Sequence, residues 1–450
     1  MTAPARTAAF HALRAISTGR TDLPSALAGS RHVLADERDR ALMVEIVTGT
    51  QRFRRKLDYL VERFARRPLD KIDADLLDIL RLSLYQLLHL QRVPASAVVD
   101  DAVDLARHTR KTSSTGFVNA VLRATLRART RLPLPPRPDD LANRAASLAY
   151  LGITHSHPEW LVTRWFDRYG FEATERWVAF NNAAPRLTLR VNTLRGDRES
   201  VAAMLRLGGV TTQPTSHASA GLVVVSGNPL RLPHDGLFFI QDEASQIVAS
   251  SIGAKPGERV LDLCASPGGK TTAMAADMHD HGLVVACDVR SRRVRLLQDT
   301  VRLSQAAHIR VVHVAASGPL PFHAGFDRVL VDAPCSGLGT VRRDPDIKWR
   351  RSDRDVLNLA GTELELLIRA SDTVKPGGRL VYATCSSERE ENEDVVNTFL
   401  EQKRGFALFD LRRDSALHLT AFLDDRAMLR TLPFAHGLEA FFAAALIRNR

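Results

Sequence analysis

Two of the four cysteines stand at matched points. Cys335 lies in "DAPCSGLG" (332–339) and Cys385 in "YATCSS" (382–387), each just past a short apolar run that reads as a buried strand. Cys264 and Cys287 fall inside or at the close of such runs, where cysteine usually serves as a small hydrophobe. The four are too scattered for a zinc site or a disulfide scaffold, so reduced thiols and no metal are expected. A thiol becomes a nucleophile when ionised, and two of them at matching strand mouths imply covalent chemistry on a shared substrate.

The stretch "LDLCASPGGKTT" (261–272) turns from strand into helix through Pro267, Gly268 and Gly269. Glycines let the backbone approach a ligand, and the following helix N-terminus offers free N–H groups to an anionic end. A phosphate-binding Walker loop needs a glycine at 264, which is Cys264, and the dinucleotide fingerprint GxGxxG is missing. A nucleoside whose negative group is a lone carboxylate remains, and S-adenosylmethionine meets that description. Asp288 closes the second strand, where an acid can accept hydrogen bonds from both ribose hydroxyls.

A methyl donor and a thiol together narrow the acceptor. Oxygen, nitrogen and sulfur acceptors own lone pairs, whereas pyrimidine C5 has none. A thiolate adding across C6 makes C5 electron-rich enough to take the methyl group; a base then removes the C5 proton and the thiolate leaves. One cysteine suffices, and spacing leaves open which. Lys270 and the sulfonium are expected to favour the thiolate, and Asp332 to hold the base at N3.

The elements that must position these groups fall into three predicted domains. Residues 1–135 are helical nearly throughout, centred on "DADLLDILRLSLYQLLHL" (73–90), with further helices over 95–109 and 116–130. Arg123, Arg127 and Arg129, with Arg107, Arg110 and Lys111, are expected to form a basic face. "RLPLPPRPDD" (131–140) holds four prolines and predicts an extended connection. Residues 141–235 predict a small α/β unit. From 236 to 450, the runs at 259–264, 283–288, 309–314, 327–332 and 379–385 alternate with helical stretches, predicting a doubly wound, Rossmann-like parallel sheet. The net charge of +11 favours a polyanionic partner. No run is long and apolar enough to span a membrane, and the N-terminus lacks a signal core, so a cytoplasmic protein without a membrane partner is expected, as a monomer.

These residues resemble the RNA 5-methylcytosine methyltransferases of the RsmB/Sun/Fmu branch of the NOL1/NOP2/Sun (NSUN) family. The resemblance rests on "RVNTLR" (190–195), "IQDEASQ" (240–246), "LDLCASPGGKT", "DAPCSGLG", "RRDPDIKW" (342–349) and "YATCSS" followed by "EEN". It implies a multidomain chain: an all-α NusB-like RNA-binding domain, the small α/β insert, and a class I methyltransferase domain using S-adenosyl-L-methionine on small-subunit ribosomal RNA. By the family pattern Cys385 is the nucleophile and Cys335 assists product release, with Asp332 and Lys270 beside them. The pattern places Cys264, Ala265, Ser266, Pro267, Gly268, Gly269, Lys270, Asp288 and Asp332 around the cofactor. It sets Arg342, Arg343 and Lys348 near RNA, and Arg190 and Asn192 of "RVNTLR" are expected there too.

Two positions depart from the pattern: Ala316 stands where an adenine-contacting acid is usual, and Ser266 where alanine is usual. Ala316 keeps open a catalytically weak RNA-binding assembly factor; a transfer-RNA or DNA cytosine methyltransferase is a further alternative.

Overall fold

The computed structural model describes residues 2–109 and 111–450; Arg110 of the expected basic face lies outside them. The chain forms two compact units, Met1–Ala184 with Val341–Arg350, and Pro185–Thr340 with Arg351–Arg450.

In the first unit the leucine-rich stretch forms the helix Ala74–His89, started by Asp73, whose carboxylate accepts from the Asp75 and Leu76 amides. With Ile79, Leu80, Leu82 and Leu84 all buried, it cannot be a surface helix. Phe10 and Leu13, Met43 and Ile46, Leu57 and Leu60, and Val118 and Leu122, one face each of four other helices, join it in a single core. The proline-rich stretch has no helix or strand over 132–139, yet it does not end the unit. Thr154, at the end of the turn Tyr150–Thr154, donates to the Pro135 carbonyl (2.7 Å), and Arg137 pairs with Glu175 of the helix Glu159–Asn182 (2.9 Å), fastening the stretch to both. Within the α/β piece expected over 141–235, the residues up to Ala184 belong to the first unit and those from Pro185 to the second.

The second unit holds two sheets. β1 (Thr188–Val191), β2 (Thr211–Pro214), β3 (Gly221–Ser226) and β4 (Phe238–Ile240) make an antiparallel sheet in the order β2-β3-β1-β4. The larger sheet contains β5 (Arg259–Asp262), β6 (Leu283–Asp288), β7 (Ile309–His313), β8 (Phe326–Asp332), β9 (Val374–Thr384), β10 (Phe406–Leu408), β11 (Leu429–Thr431) and β12 (Phe441–Arg448). Its order is β10-β12-β9-β8-β5-β6-β7, with β11 on β12; β5 to β9 run parallel, and β12 is antiparallel to β9. Separate apolar clusters cover its two faces, which is why these strands read as near-continuous apolar runs.

β5 lies between β6 and β8, where the direction of winding reverses. In such sheets ligands bind outside the carboxyl ends of the strands at that point. The register pairs Asp262 with Ala286 and Leu330, Asp288 with His313, and Asp332 with Ala383, so the three acids and Cys385 gather on one edge.

Candidate active site

After β5 the chain enters the helix Gly269–Asp277 through Gly268, whose φ of +108° lies in the region that favours glycine. A Cβ there would sit 3.0 Å from Leu297 and Thr300 side-chain atoms, so the helix start stays closely packed and its first amides face the carboxyl edge. Beneath the loop, Asp262 is fully buried; Thr271 donates to its Oδ2 at 2.7 Å while Oδ1 has no partner. Burial pushes this carboxyl up to about 7. Asp288 is also buried, its Oδ1 accepting from the Arg290 amide at 3.1 Å. Next to it, Val314 donates to the Asp288 carbonyl (3.2 Å), placing the loop with Ala316 beside this acid. That loop is held by Arg369, whose guanidinium donates to the carbonyls of Gly318 (2.7 Å), Ala316 (2.9 Å) and Ala315 (3.1 Å). A glycine cradle at a helix start, a lone buried acid one strand along and an unpartnered carboxyl oxygen below fit an amino-acid nucleoside such as S-adenosylmethionine.

The expected neighbours of that cradle converge. Lys270, in the first turn of the helix, donates to Asp332 Oδ2 at 2.6 Å. Burial opposes the ammonium, but Asp332 outweighs it and holds Lys270 above the ordinary lysine range, with Cys385 adding to the effect. Cys335 and Cys385 face each other with Sγ atoms 3.3 Å apart, and the Cys385 amide donates to Cys335 Sγ at 3.3 Å. The hydrogen bond with Cys385, and then burial, keep Cys335 a protonated thiol. Burial likewise raises Cys264, and pushes Cys287 up to about 12, which suits structural cysteines.

What brings two loops fifty residues apart together is backbone lacing around Gly339. Its N–H donates to the Cys385 carbonyl and its own carbonyl accepts from Ala440 at the start of β12, both at 3.0 Å. A Cβ on Gly339 would lie 1.8 Å from the Ala440 oxygen, so only glycine fits. A buried acid, Glu391, also joins the two loops, a role that the motif pattern alone does not reveal. Glu363 behind it carries a readable signal: with Val356, Leu367 and Ala370 it lies on the buried stripe of the helix Asp353–Ser371, an acid where an apolar residue belongs.

The residues expected to touch RNA separate into two groups. Arg190 is 4% exposed, its Nε donating to Gln241 Oε1 (2.6 Å) and its Nη2 to Thr272 (2.7 Å). Asn192, at 1%, donates to the Gly236 and Ser304 carbonyls. Lys348 is fully buried and donates to the Arg52 (2.9 Å) and Ser156 (2.7 Å) carbonyls. These three are corrected to structural positions, because buried donors already hydrogen-bonded within the fold cannot reach a nucleic acid. Arg342 and Arg343 stay half-exposed; Arg342 lies over the Phe180 ring and donates to the Ala184 carbonyl at 2.8 Å.

A doubly wound sheet with this cradle and a thiol pair at its carboxyl edge defines a class I S-adenosylmethionine-dependent methyltransferase. The model for 16S rRNA methyltransferase RsmB/F matches residues 249–447, that for the NusB family residues 3–127, and that for the RsmF/B-like ferredoxin-like domain residues 157–231. A Bacillus subtilis protein named probable ribosomal RNA small subunit methyltransferase B is 34% identical over 91% of each chain, and a Synechocystis protein of the same name is 34% identical over 98% of this chain and 99% of its own. Among solved structures, PH0851 aligns over 99% of both chains (TM-score 0.78, 25% identity), and a methyltransferase homologue from Pyrococcus horikoshii covers 67% of this chain (TM-score 0.57, 25% identity). The chain belongs to the RsmB/F family of 16S rRNA methyltransferases.

Proposed function

We propose that this chain methylates C5 of a cytosine in small-subunit ribosomal RNA, with Cys385 as the nucleophile and Cys335 assisting release. The observation that carries this reading is the 3.3 Å thiol pair beside Lys270 and Asp332. Bound S-adenosylmethionine supplies an electrophilic methyl group. Because Cys335 holds its proton, it donates S–H toward the Cys385 sulfur 3.3 Å away. The Lys270 ammonium adds positive charge on the same side. The Cys385 thiolate bonds C6 and C5 takes the methyl group; a base, solvent water in this scheme, then removes the C5 proton, and the released electron pair re-forms the C5–C6 double bond as the C6–S bond breaks to return the thiolate. The Cys335 S–H then hydrogen-bonds the sulfur that departs from C6, which assists release. Asp332, oriented by Lys270, faces the N3 side of the base. The target base leaves its stack to expose C6.

Contacts to RNA fall to the exposed Arg123, Arg127 and Arg129 of the helix Thr115–Ala128 and its end, and to Arg342 and Arg343. No helix among the described residues is long and apolar enough to cross a membrane; with the ribosomal substrate this fits work in the cytoplasm. The test is methyl transfer from labelled cofactor to unmodified small-subunit rRNA, read by bisulfite sequencing. Label at one cytosine that is lost in Cys385→Ala supports the reading. Label on another base, or on cytosine in Cys385→Ala, overturns it.

A further inference from the structure

Behind the two thiols lies a second polar centre that the methyl transfer itself does not use. Glu391, fully buried, accepts at Oε1 from the Ser336 amide (2.6 Å) and at Oε2 from the Ser336 hydroxyl (2.6 Å) and the Ser386 hydroxyl. Ser336 and Ser386 directly follow Cys335 and Cys385 in the chain, and their hydroxyl oxygens are 3.2 Å apart. One carboxylate therefore grips the residue after each cysteine. Asn392 completes the Cys385 side, donating to the Ser386 carbonyl at 3.1 Å and accepting from Thr384 at 2.5 Å. Glu363, equally buried, lies behind Glu391, with its Oε2 accepting from Tyr382 at 2.9 Å. Its Oε1 has no donor.

We infer that Glu391 is a positioning residue for both cysteines, setting their separation by holding Ser336 and Ser386 together, and that Glu363 supports it by sharing one proton. Two buried carboxylates side by side repel each other, so one proton between them is the state the site can hold. Glu391 accepts from the Ser336 amide and from both serine hydroxyls, whereas Glu363 Oε1 accepts from no donor, so the proton belongs to Glu363 and Glu391 stays anionic. Burial, then the Glu391 charge, push Glu363 up to about 9, in the same direction. The single negative charge has a second effect: the Glu391 carboxylate helps to hold Cys335 as a thiol. That is the state in which it donates to Cys385. Glu391 thus sets both where the sulfurs stand and which of them keeps the proton.

This inference rests on the cysteine reading of the reaction, and the experiment keeps the two apart. Steady-state rRNA methylation is measured for the full-length protein and for Cys385→Ala, Glu391→Gln and the double variant Ser336→Ala/Ser386→Ala, alongside iodoacetamide alkylation of Cys335 against pH, read by peptide mass spectrometry. Expected for Glu391→Gln is a kcat lower by about 10- to 100-fold with the KM for S-adenosylmethionine within about twofold, as for loss of one or two positioning hydrogen bonds. Its alkylation midpoint moves to lower pH because a negative charge is gone. The serine double variant keeps the charge, so it shows the kcat loss without that shift; it also carries the test should Glu391→Gln not fold. A kcat within twofold of wild type in either variant, or an unmoved alkylation midpoint in folded Glu391→Gln, overturns the inference while Cys385→Ala remains inactive. Turnover by Cys385→Ala instead sinks the cysteine reading itself.

Discussion

Lys270 and Lys348 are two buried lysines in opposite circumstances. Lys270, in the second unit, faces the Asp332 carboxylate at 2.6 Å and stays charged beside a sulfur. Lys348, in the first, faces the Arg52 and Ser156 carbonyls and the Trp349 ring, with no carboxylate among these partners, and burial together with Arg52 pushes its ammonium well below the ordinary range. A buried cation opposite an anion keeps its charge, whereas burial without an anion disfavours the charge and leaves a bracket between chain segments. Substitution separates them most sharply. Lys270→Met is expected to lower kcat at least about 100-fold, as for loss of a preorganised charge near developing charge. Lys348→Met is expected to keep turnover within about threefold and the salt dependence of RNA binding unchanged, the change appearing in thermal stability by about 1–3 kcal/mol. Equal loss of kcat in folded protein from both would break the distinction.

The bracket class extends to Arg190, whose guanidinium is held by Gln241 and Thr272. Arg190→Met is expected to cost about 2 kcal/mol in a denaturant melt, from the buried partners left behind, without altering the salt slope of RNA binding. Replacing Arg123, Arg127 and Arg129 by Ser should do the reverse: stability nearly unchanged and a salt slope flatter by about 0.7 for each single-strand phosphate no longer neutralised.

What was legible in the sequence follows the same division. The five parallel strands, the glycine cradle and both thiols depend on local pattern, since a buried parallel strand reads as an apolar run and a tight turn needs glycine. The fate of Arg190, Asn192 and Lys348 was not legible. Their partners lie far along the chain, as with Lys348 and Arg52, 296 residues apart, and a polar residue in a motif looks the same whether it faces solvent or a distant carbonyl. The proline-rich stretch was legible as extended but not as packed, because the Glu175 and Thr154 side chains that hold it come from later helices. Glu391 was visible only as part of "EEN"; its pairing with Ser336 across 55 residues needed the fold.

The smallest expected effect concerns pH. Glu363 titrates near 9 in the folded protein against 4.5 for an ordinary glutamate, so the folded state holds this proton where the unfolded chain has released it. Its contribution to stability is fully present below about 4.5 and is lost as pH rises toward 9. Thermal melts between pH 5 and pH 9 should show wild-type stability falling with pH, and a shallower fall in Glu363→Gln. An unchanged slope would place that proton elsewhere.

The central claim is that Cys385 bonds the base while Cys335 lets it go. It is tested by incubating Cys335→Ala and Cys385→Ala with unmodified small-subunit rRNA and S-adenosylmethionine, then running denaturing gels. The geometry predicts a protein–RNA adduct that persists in Cys335→Ala, where the leaving sulfur has lost its hydrogen-bond donor, and none in Cys385→Ala or in the double variant. An adduct that accumulates in Cys385→Ala and not in Cys335→Ala would contradict the assignment.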